Sequence, residues 1–285
     1  MSYSDPSKLL LEIVEKCIAK DARQWLFNNL EMILKEQSVK KLYLTYTLCH
    51  VHVPKEAISF DMYGQNKTTD LLRIKMADTL EVTRIFLLNR VLEENFDFFK
   101  VKVANLIQVA DTSELETFLK YLVLLPKSEE FKFAGVEALR TNISTVFDAI
   151  ALNNPYPSQY FNEQQYNQMY LKAAFMQRDL SEIVGVDQMA NKELSRIISD
   201  YAHERWAASR EIDPEFWRPV SNHVEGVLVD DMKRLFESKN SIENRAAALV
   251  CFHSNKSDAQ NLLDNYPVLK ELIHKKSLTW ENFKN

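Results

Sequence analysis

The densest group of side chains able to do chemistry lies in the segment DYAHERW, which begins at Asp200. On an α-helix Asp200 is one turn from both His203 and Glu204, so one helix face would carry two carboxylates and an imidazole. Such a face could supply a general acid and base or part of a metal site, or it could line a ligand pocket. Alternatively, Arg196 and Arg205 could neutralise the carboxylates in a structural network, which is the interpretation we favour. Asp200, His203 and Glu204 remain the candidate catalytic residues.

A second group with metal-binding chemistry is formed by Cys49, His50 and His52. In an extended conformation the two histidines would point the same way and could share an ion. However, no second pair with ligand spacing follows, and Cys49 continues an apolar helical stripe. We therefore expect a helix end with ordinary surface histidines, no metal site and no cofactor.

The motifs of several enzyme classes are missing from the sequence. The chain has four glycines, whereas average usage would supply about 20 in a protein of this length. They are too far apart to form the Gly-rich loops of dinucleotide-binding or P-loop proteins. A G-x-S-x-G nucleophile motif is also missing. So few glycines further argue against a sheet-rich fold with many tight turns.

Charge and hydropathy argue against two further classes of protein. The 285-residue chain has a net charge of −5, and its basic residues form only short pairs such as Lys40-Lys41, so we expect no nucleic-acid partner. No apolar run approaches the roughly 18 residues of a transmembrane helix, and no secretion signal is recognised. Three widely separated cysteines, Cys17, Cys49 and Cys251, are typical of reduced thiols. We expect a cytoplasmic protein with no transmembrane segment.

The elements that would position these residues are helices. Apolar residues recur at spacings of three and four through the whole chain. Helix starts are predicted at Ser4 or Asp5 before Pro6, at Thr112 or Ser113, at a capping box of Asn162 with Gln165, at Asn191 or Lys192, at Asp213-Pro214 and at Ser241. The helix that begins near Asn191 is expected to reach Arg210. Residues 54–69 predict the main irregular loop.

Residues 241–265 resemble one HEAT-type helix pair, with an Ala-rich first helix and a turn at residues 254–256. Such units bury their apolar faces only by stacking on neighbours. No clean repeat period is visible elsewhere. We therefore expect an all-α fold, an α-α superhelix of degenerate HEAT-like helical repeats, as a single domain over residues 1–285.

Residues 154–157 read Asn-Pro-Tyr-Pro. Two prolines within three residues remove two backbone donors and fix φ at both, which predicts a rigid extended crossover between helices. Tyr156 would then anchor this crossover on a neighbouring helix. We expect it to pack near Asp200, Glu204 or Arg205, so that any functional surface would lie where the two segments meet.

Eight stretches, in order and with natural spacing, carry a resemblance to a known family. They are GVEALRTN from Gly135, VFDAIA from Val146, NPYP from Asn154, NQM from Asn167, LKA from Leu171, IVGVD from Ile183, DYAHERWAASR from Asp200 and RAAAL from Arg245. Together they resemble the EboA family over residues 111–265, whereas residues 1–110 resemble it only as a helical region. Tyr166 stands where the family often has tryptophan.

The resemblance implies a role in trafficking natural-product precursors in bacterial secondary metabolism, together with other Ebo-cluster proteins. Those partners look like a prenyltransferase, a TatD-type hydrolase, a sugar-isomerase-like barrel, a dehydroquinate-synthase-like protein and a phosphodiesterase-like protein. No catalytic residue is carried over. The implied function is a non-enzymatic helical carrier or adaptor for export of a small aromatic or prenylated metabolite. The alternative is an enzyme of unknown reaction that uses the face of Asp200, His203 and Glu204.

Polar and aromatic residues within these stretches are the candidates for a ligand or partner surface. They are Arg140, Asn142, Asn154, Tyr156, Asn167, Lys172, Arg205, Trp206 and Arg210. The many aromatic residues, 16 Phe, 11 Tyr and 4 Trp, fit either helix packing or a groove that stacks on a flat small molecule. The sequence leaves both interpretations open. In the enzyme alternative, Tyr156, Lys172 or Arg210 should converge on the acidic face.

Overall fold

The computed structural model describes residues 6–285 and is all-helical there, with 73% helix, 18 α-helices and no β-strand. The predicted all-α class is therefore confirmed. The superhelical arrangement of HEAT-like repeats stays a prediction, as does the single-domain organisation. The capping residues expected at Ser4 or Asp5 lie outside the described residues.

By their internal contacts the helices divide into two compact units, of which the first ends at Phe161. Its helices are α1 (Pro6–Cys17), α2 (Lys20–Glu36), α3 (Val39–His52), α4 (Lys67–Ile74), α5 (Thr79–Glu94), α6 (Phe96–Ala104), α7 (Leu106–Val109), α8 (Thr112–Lys120), α9 (Lys132–Ala138), α10 (Ser144–Ala151) and α11 (Tyr156–Tyr160). Short 3-10 segments span Asp61–Tyr63, Leu122–Leu124 and Ser128–Phe131. Helix α5 is buried along almost its whole length, with α1, α2, α3, α6 and α8 packed against it.

The core of this first unit contains a buried cation. Arg84 of α5 is 2% exposed and donates to the Tyr46 carbonyl oxygen and to Ser113 Oγ, each at 3.3 Å. Its guanidinium lies 3.9 Å from the buried carboxylate of Glu114, which also accepts from the Asp111 amide at 3.1 Å. Because a buried charge is costly unless it is paired and hydrogen-bonded, these contacts hold α3, α5 and α8 in one arrangement.

The second unit spans Asn162–Asn285. Its helices are α12 (Glu163–Phe175), α13 (Val186–Met189), α14 (Lys192–Ala207), α15 (Val227–Phe236), α16 (Ser241–His253), α17 (Ser257–Asp264) and α18 (Pro267–His274). Two 3-10 segments, Leu180–Glu182 and Pro214–His223, lie between them. The alanine-rich middle of α16 is fully buried because α15, α17, α18 and the longer 3-10 segment all pack on it.

Several helix starts follow local capping chemistry. The capping box of Asn162 with Gln165 is confirmed, and Asn191 caps α14 by accepting from the Leu194 amide. Helices α8 and α16 begin at Thr112 and Ser241 as predicted, but a capping role for Thr112, Ser113 or Ser241 is wrong, because the side chains that accept the first amide bonds belong to Asp111 and Asn240. Helix α14 also ends at Ala207, three residues before its predicted end at Arg210.

The extended crossover predicted for residues 154–157 is wrong, because α11 begins at Tyr156. Pro155 occupies the capping position and Pro157 lies in the first turn. In a first turn the missing amide hydrogen has no intrahelical acceptor to lose, and a φ near −65° already suits a helix. Two prolines this close therefore start a short helix instead of excluding one.

Asn154 and Tyr156 are buried and tie this corner to the rest of the first unit. Asn154 Nδ2 donates to the carbonyl oxygens of Leu119 at 3.0 Å and Ala149 at 2.9 Å, while its Oδ1 accepts from the Tyr156 amide. The Tyr156 hydroxyl donates to the Ser128 carbonyl oxygen at 2.8 Å. The expected packing of this segment near Asp200, Glu204 or Arg205 joins residues of the two units and stays a prediction.

Gly135, at the start of the first family stretch, gives the Tyr156 ring its space. A Cβ atom at this glycine would lie 3.2 Å from Cε1 of Tyr156 and 3.3 Å from Cε1 of Phe161. Those distances are shorter than ordinary van der Waals contact between carbon atoms. Gly135 of α9 and the ring of Tyr156 of α11 therefore pack directly against each other.

Replacing the buried Tyr156 should destabilise the protein without changing any exposed residue. We expect Tyr156→Ala to lower the free energy of unfolding by about 3–5 kcal/mol, because a fully buried ring leaves a cavity. Tyr156→Phe, which loses only the bond to Ser128, should cost about 1 kcal/mol. Urea unfolding measures both, and Phe133→Ala, at a side chain that is 70% exposed, is the matched control. An unchanged midpoint for Tyr156→Ala would contradict the packing described here.

Candidate functional site

A cleft of about 890 Å³ opens in the second unit, a volume suited to a small molecule. It is bordered by the end of α12, the C-terminal half of α14, the chain that follows it and the first turn of α16. Its apolar lining consists of Ala174, Leu180, Tyr201, Ile212, Pro214, Phe216 and Ile242. The rest of the lining includes cationic and acidic side chains, so the cleft combines apolar with charged groups.

The end of α14 brings two arginines to the cleft. Tyr201 and Arg205 are one turn apart and so lie on the same side of the helix. After the helix Ser209 adopts a left-handed conformation, with φ of 53°, and the Arg210 amide donates to the Arg205 carbonyl oxygen at 2.9 Å. This bond is the six-to-one bond of a Schellman motif. It turns the chain back, so that Arg205 and Arg210 both border the cleft.

The two arginines differ in their contacts. Arg205 donates through Nε and Nη2 to the carbonyl oxygen of Glu211, at 3.2 and 2.7 Å. That acceptor is neutral, so the bond orients the guanidinium without cancelling its charge. Arg210 is exposed, and its guanidinium makes no hydrogen bond or ion pair with any residue in the described part of the chain.

Lys284 closes one end of the cleft through a cluster of carboxylates. Its Nζ lies 2.9 Å from Glu215 Oε2 and 3.1 Å from Asp213 Oδ2, and 4.0 Å from Asp179 Oδ1. Burial raises the pKa of Glu215, against the opposing effect of the Lys284 ammonium. Burial alone would lower the pKa of Lys284, but its bonds to Glu215 and Asp213 outweigh this and raise it. The lysine therefore compensates a carboxylate that is only 2% exposed.

Removing this lysine should produce a pH-dependent loss of stability. We expect Lys284→Met to lower the free energy of unfolding near neutral pH by about 1–3 kcal/mol, because the buried Glu215 loses its nearest cation and keeps only Arg218, at 3.9 Å. Without the ammonium the pKa of Glu215 in the folded variant rises above its value in the natural protein. The loss of stability is therefore largest above the variant's pKa, and it shrinks as the pH falls and Glu215 becomes protonated in both proteins. Chemical denaturation between acid and neutral pH measures the difference. Lys275→Met, at an exposed pair with Glu271, is the control, and a deficit that does not change with pH would contradict this role.

The three candidate catalytic residues do not converge. Asp200 pairs with Arg196 at 2.5 Å, with both side chains more than half exposed, and borders a different cleft of about 800 Å³. His203 lies 2.6 Å from a carboxylate oxygen of Asp231. Glu204 is exposed. The expected pair of Asp200 with Arg196 is present at the surface, whereas Arg205 donates to the Glu211 carbonyl oxygen and not to either carboxylate.

Sequence reasoning missed Asp231, the buried centre of this region. Its Oδ2 accepts from Ser199 Oγ at 2.6 Å while its Oδ1 faces His203 Nε2 at 2.6 Å, which ties α15 to α14. A nucleophilic triad needs the imidazole between the hydroxyl and the carboxylate, whereas here the carboxylate lies between the other two. The available signal was the spacing of Leu228, Asp231 and Leu235, which places this acid on the apolar face of α15.

The aspartate pair in α15 allows a matched test of this interhelix link. Asp231→Ala should lower the free energy of unfolding by about 2–3 kcal/mol, because Ser199 and His203 both lose a buried acceptor. Asp230→Ala, next to it, removes a carboxylate that is 73% exposed and paired with Lys233 at the surface. That change should stay within about 0.5 kcal/mol. Equal effects of the two substitutions in urea unfolding would show that the link does not stabilise the unit.

Trp206 belongs to an aromatic stack and is only half-buried. Its ring lies 5.6 Å from Trp217 at an interplanar angle of 22°, and 5.5 Å from His203. The guanidinium of Arg234 lies 4.2 Å from the Trp206 ring centroid, a cation–π distance. This residue therefore positions α14 against the 3-10 segment that carries Trp217.

The remaining candidates for a ligand or partner surface differ in how far they are buried. Asn167 is buried and exchanges reciprocal amide bonds with Asn191, at 3.2 and 2.9 Å. Lys172 is partly buried, and burial lowers its pKa. Arg140 and Asn142 are exposed in the first unit, where Arg140 pairs with Glu137 at 2.9 Å. Among the candidates, only Arg205 and Arg210 border the 890 Å³ cleft.

The Cys/His group of α3 is dispersed by its helical conformation. Cys49 is fully buried, and burial raises the pKa of its thiol to about 12, which disfavours the thiolate that binds metals. His50 Nδ1 lies 2.7 Å from the Thr47 carbonyl oxygen, and His52 stacks on Trp25 at 4.0 Å. Within residues 6–285 there is no group of three or more His, Cys, Asp or Glu side chains that could hold a metal ion.

Fold and site together define an all-α protein with a charged cleft of metabolite size. A family model, described as metabolite traffic protein EboA, matches residues 6–221, and the chain belongs to the EboA family. The match includes residues 6–110, which were expected to fit only loosely, and it ends before α15 and the predicted HEAT-like pair. Comparisons with curated proteins and with solved structures give no match. In the part of the chain described, every helix is too short or too polar to span a bilayer.

Proposed function

We propose that this protein is a non-enzymatic carrier or adaptor that holds a small-molecule natural-product precursor during its trafficking. Membership in a family described by metabolite traffic supports the general role. The observation that carries the finer proposal is the 890 Å³ cleft, whose volume lies in the range of small-molecule sites. Three of its lining residues, Tyr201, Arg205 and Arg210, belong to one of the stretches that carry the resemblance to the family.

The contacts of the candidate catalytic residues favour a carrier over an enzyme. His203 is engaged with the buried Asp231, and Asp200 with Arg196, so neither is aimed at a common reacting centre. Burial also raises the pKa of the Cys49 and Cys251 thiols to about 12, which keeps both protonated and weakly nucleophilic. Of the three residues of the enzyme alternative, Asp200 alone borders the 800 Å³ cleft, and His203 and Glu204 do not line it.

The carrier is proposed to act in the bacterial cytoplasm with other Ebo-cluster proteins, on a small aromatic or prenylated metabolite of secondary metabolism. Exposed polar residues such as Arg140 and Asn142 are available for a partner protein. The cleft is separate from them in sequence and lies wholly within the second unit. Partner binding and ligand binding can therefore be tested independently.

Affinity purification from the native host tests the proposal. The tagged full chain should recover a small molecule, detected by mass spectrometry after denaturation, or other Ebo-cluster proteins. Ser238→Trp, which places a ring in the cleft, should abolish recovery of the small molecule but leave protein partners bound. Ser257→Trp, at an exposed position at the start of α17, is the control. Recovery of neither metabolite nor Ebo-cluster protein under conditions that preserve weak complexes would overturn the proposal.

A further inference from the structure

We propose that the ligand of this cleft is an anion, a carboxylate or phosphate attached to an aromatic or otherwise apolar body. This inference rests on the proposed carrier function and specifies its ligand class. It depends on the charges that border the cleft, on which of them are already compensated within the protein, and on the apolar side chains that line the same cleft.

More cationic than acidic side chains line the cleft, in a protein that is acidic as a whole. Five cationic side chains border it, Arg178, Arg205, Arg210, Lys239 and Lys284, against three carboxylates. Glu215 and Asp179 lie within 4.0 Å of Lys284 just outside the lining, so the positive charge that a ligand meets comes from the arginines, in contrast to the net charge of −5 for the chain. A partly enclosed site with such an excess favours an anionic ligand, because the low-dielectric walls strengthen the attraction.

The cations differ in what already neutralises them. Lys284 is compensated by Asp213 and Glu215 at 3.1 and 2.9 Å and contributes little free charge. Arg205 is held by a carbonyl oxygen, which leaves its positive charge uncompensated by that bond. Arg210 has no hydrogen-bond or ionic partner among residues 6–285. Two guanidinium groups at one cleft, one oriented and one unpartnered, suit the planar forks that bind carboxylate and phosphate oxygens.

The apolar side chains that line the cleft fit an apolar body. The Tyr201 and Phe216 rings meet edge to face with centroids 5.3 Å apart, and Leu180, Ile212 and Pro214 border the same space. Phe216 is itself stacked on Tyr170 at 5.7 Å, so this wall is fixed by packing behind it. A flat or aliphatic group could bury its surface here while its anionic end reaches Arg205 and Arg210.

Four naphthalene ligands that differ in one substituent test the ligand class on the full chain by isothermal titration calorimetry. They are 2-naphthoate, 2-naphthyl phosphate, 2-naphthylmethanol and 2-naphthylmethylammonium. We expect at least one anion to bind about tenfold more tightly than the alcohol, and the ammonium more weakly than the alcohol. The carboxylate and phosphate arms show which anionic group the cleft prefers.

Substitutions at the unpartnered arginine locate the effect. Arg210→Ala should weaken binding of the preferred anion by about tenfold and leave binding of the alcohol unchanged, while Arg210→Lys should lie between it and the natural protein. Arg140→Ala, at an exposed arginine of the first unit, is the control. Because Arg210 is exposed, the fold should be retained, which a thermal melt checks, and Lys239→Ala offers a second reduction of charge at the same cleft.

Three results would overturn the anion proposal: equal affinity for anion and alcohol, no change on Arg210→Ala and Lys239→Ala, or no binding by any of the four ligands. Each leaves the carrier function standing if the native purification still recovers a metabolite. If the four ligands behave as expected but the purification recovers neither metabolite nor partner, the cleft binds anions and the carrier function fails. The two proposals are thus separable.

Discussion

The bond between Asp231 and the Ser199–His203 side of α14 is the constraint on which the cleft depends. Burying a carboxylate is costly, so the aspartate keeps both neighbours in place once the unit has folded. Tyr201 and Arg205 lie on another side of the same helix. Because a helix rotates as one body, holding one side against α15 fixes the direction in which the other side faces the cleft. Residues outside the cleft thus determine its geometry.

The lining residues that follow α14 are fixed in the same indirect way. The 3-10 segment Pro214–His223 contributes Pro214 and Phe216 to the lining, while its Trp217 is fully buried and stacks on Trp206 of α14. Just before that segment, Asp213 meets Lys284, whose ammonium also compensates the buried Glu215. An aromatic stack and an ion cluster thus hold this segment against α14 and Lys284.

A structural feature could be predicted from the sequence when the residues that form it lie close together along the chain. Caps such as Asn162 with Gln165 are readable because donor and acceptor lie three residues apart. Asp231 and Lys284 were missed because their partners lie 28 and 71 residues away in sequence, a separation that no local pattern reveals. The Asn-Pro-Tyr-Pro segment was misread for a different reason: proline excludes helix interiors but suits a first turn, and the sequence alone left that position undefined.

Although glycine is scarce, several helices of this chain end in a left-handed residue that is not glycine. Gln37, Met76, Gln177, Ser209 and Lys276 all have positive φ just after a helix. In each case the next residue's amide donates to a carbonyl oxygen five residues earlier. A left-handed non-glycine residue costs roughly 1–2 kcal/mol, so these bonds must offset it at every one of the five helix ends. The turn at Ser209 is therefore an ordinary device of this fold and not in itself a sign of function. The turn at Ser209 differs from the other four in the residue that follows it. That residue, Arg210, lies with Arg205 at the cleft and has no hydrogen-bond or ionic partner among residues 6–285.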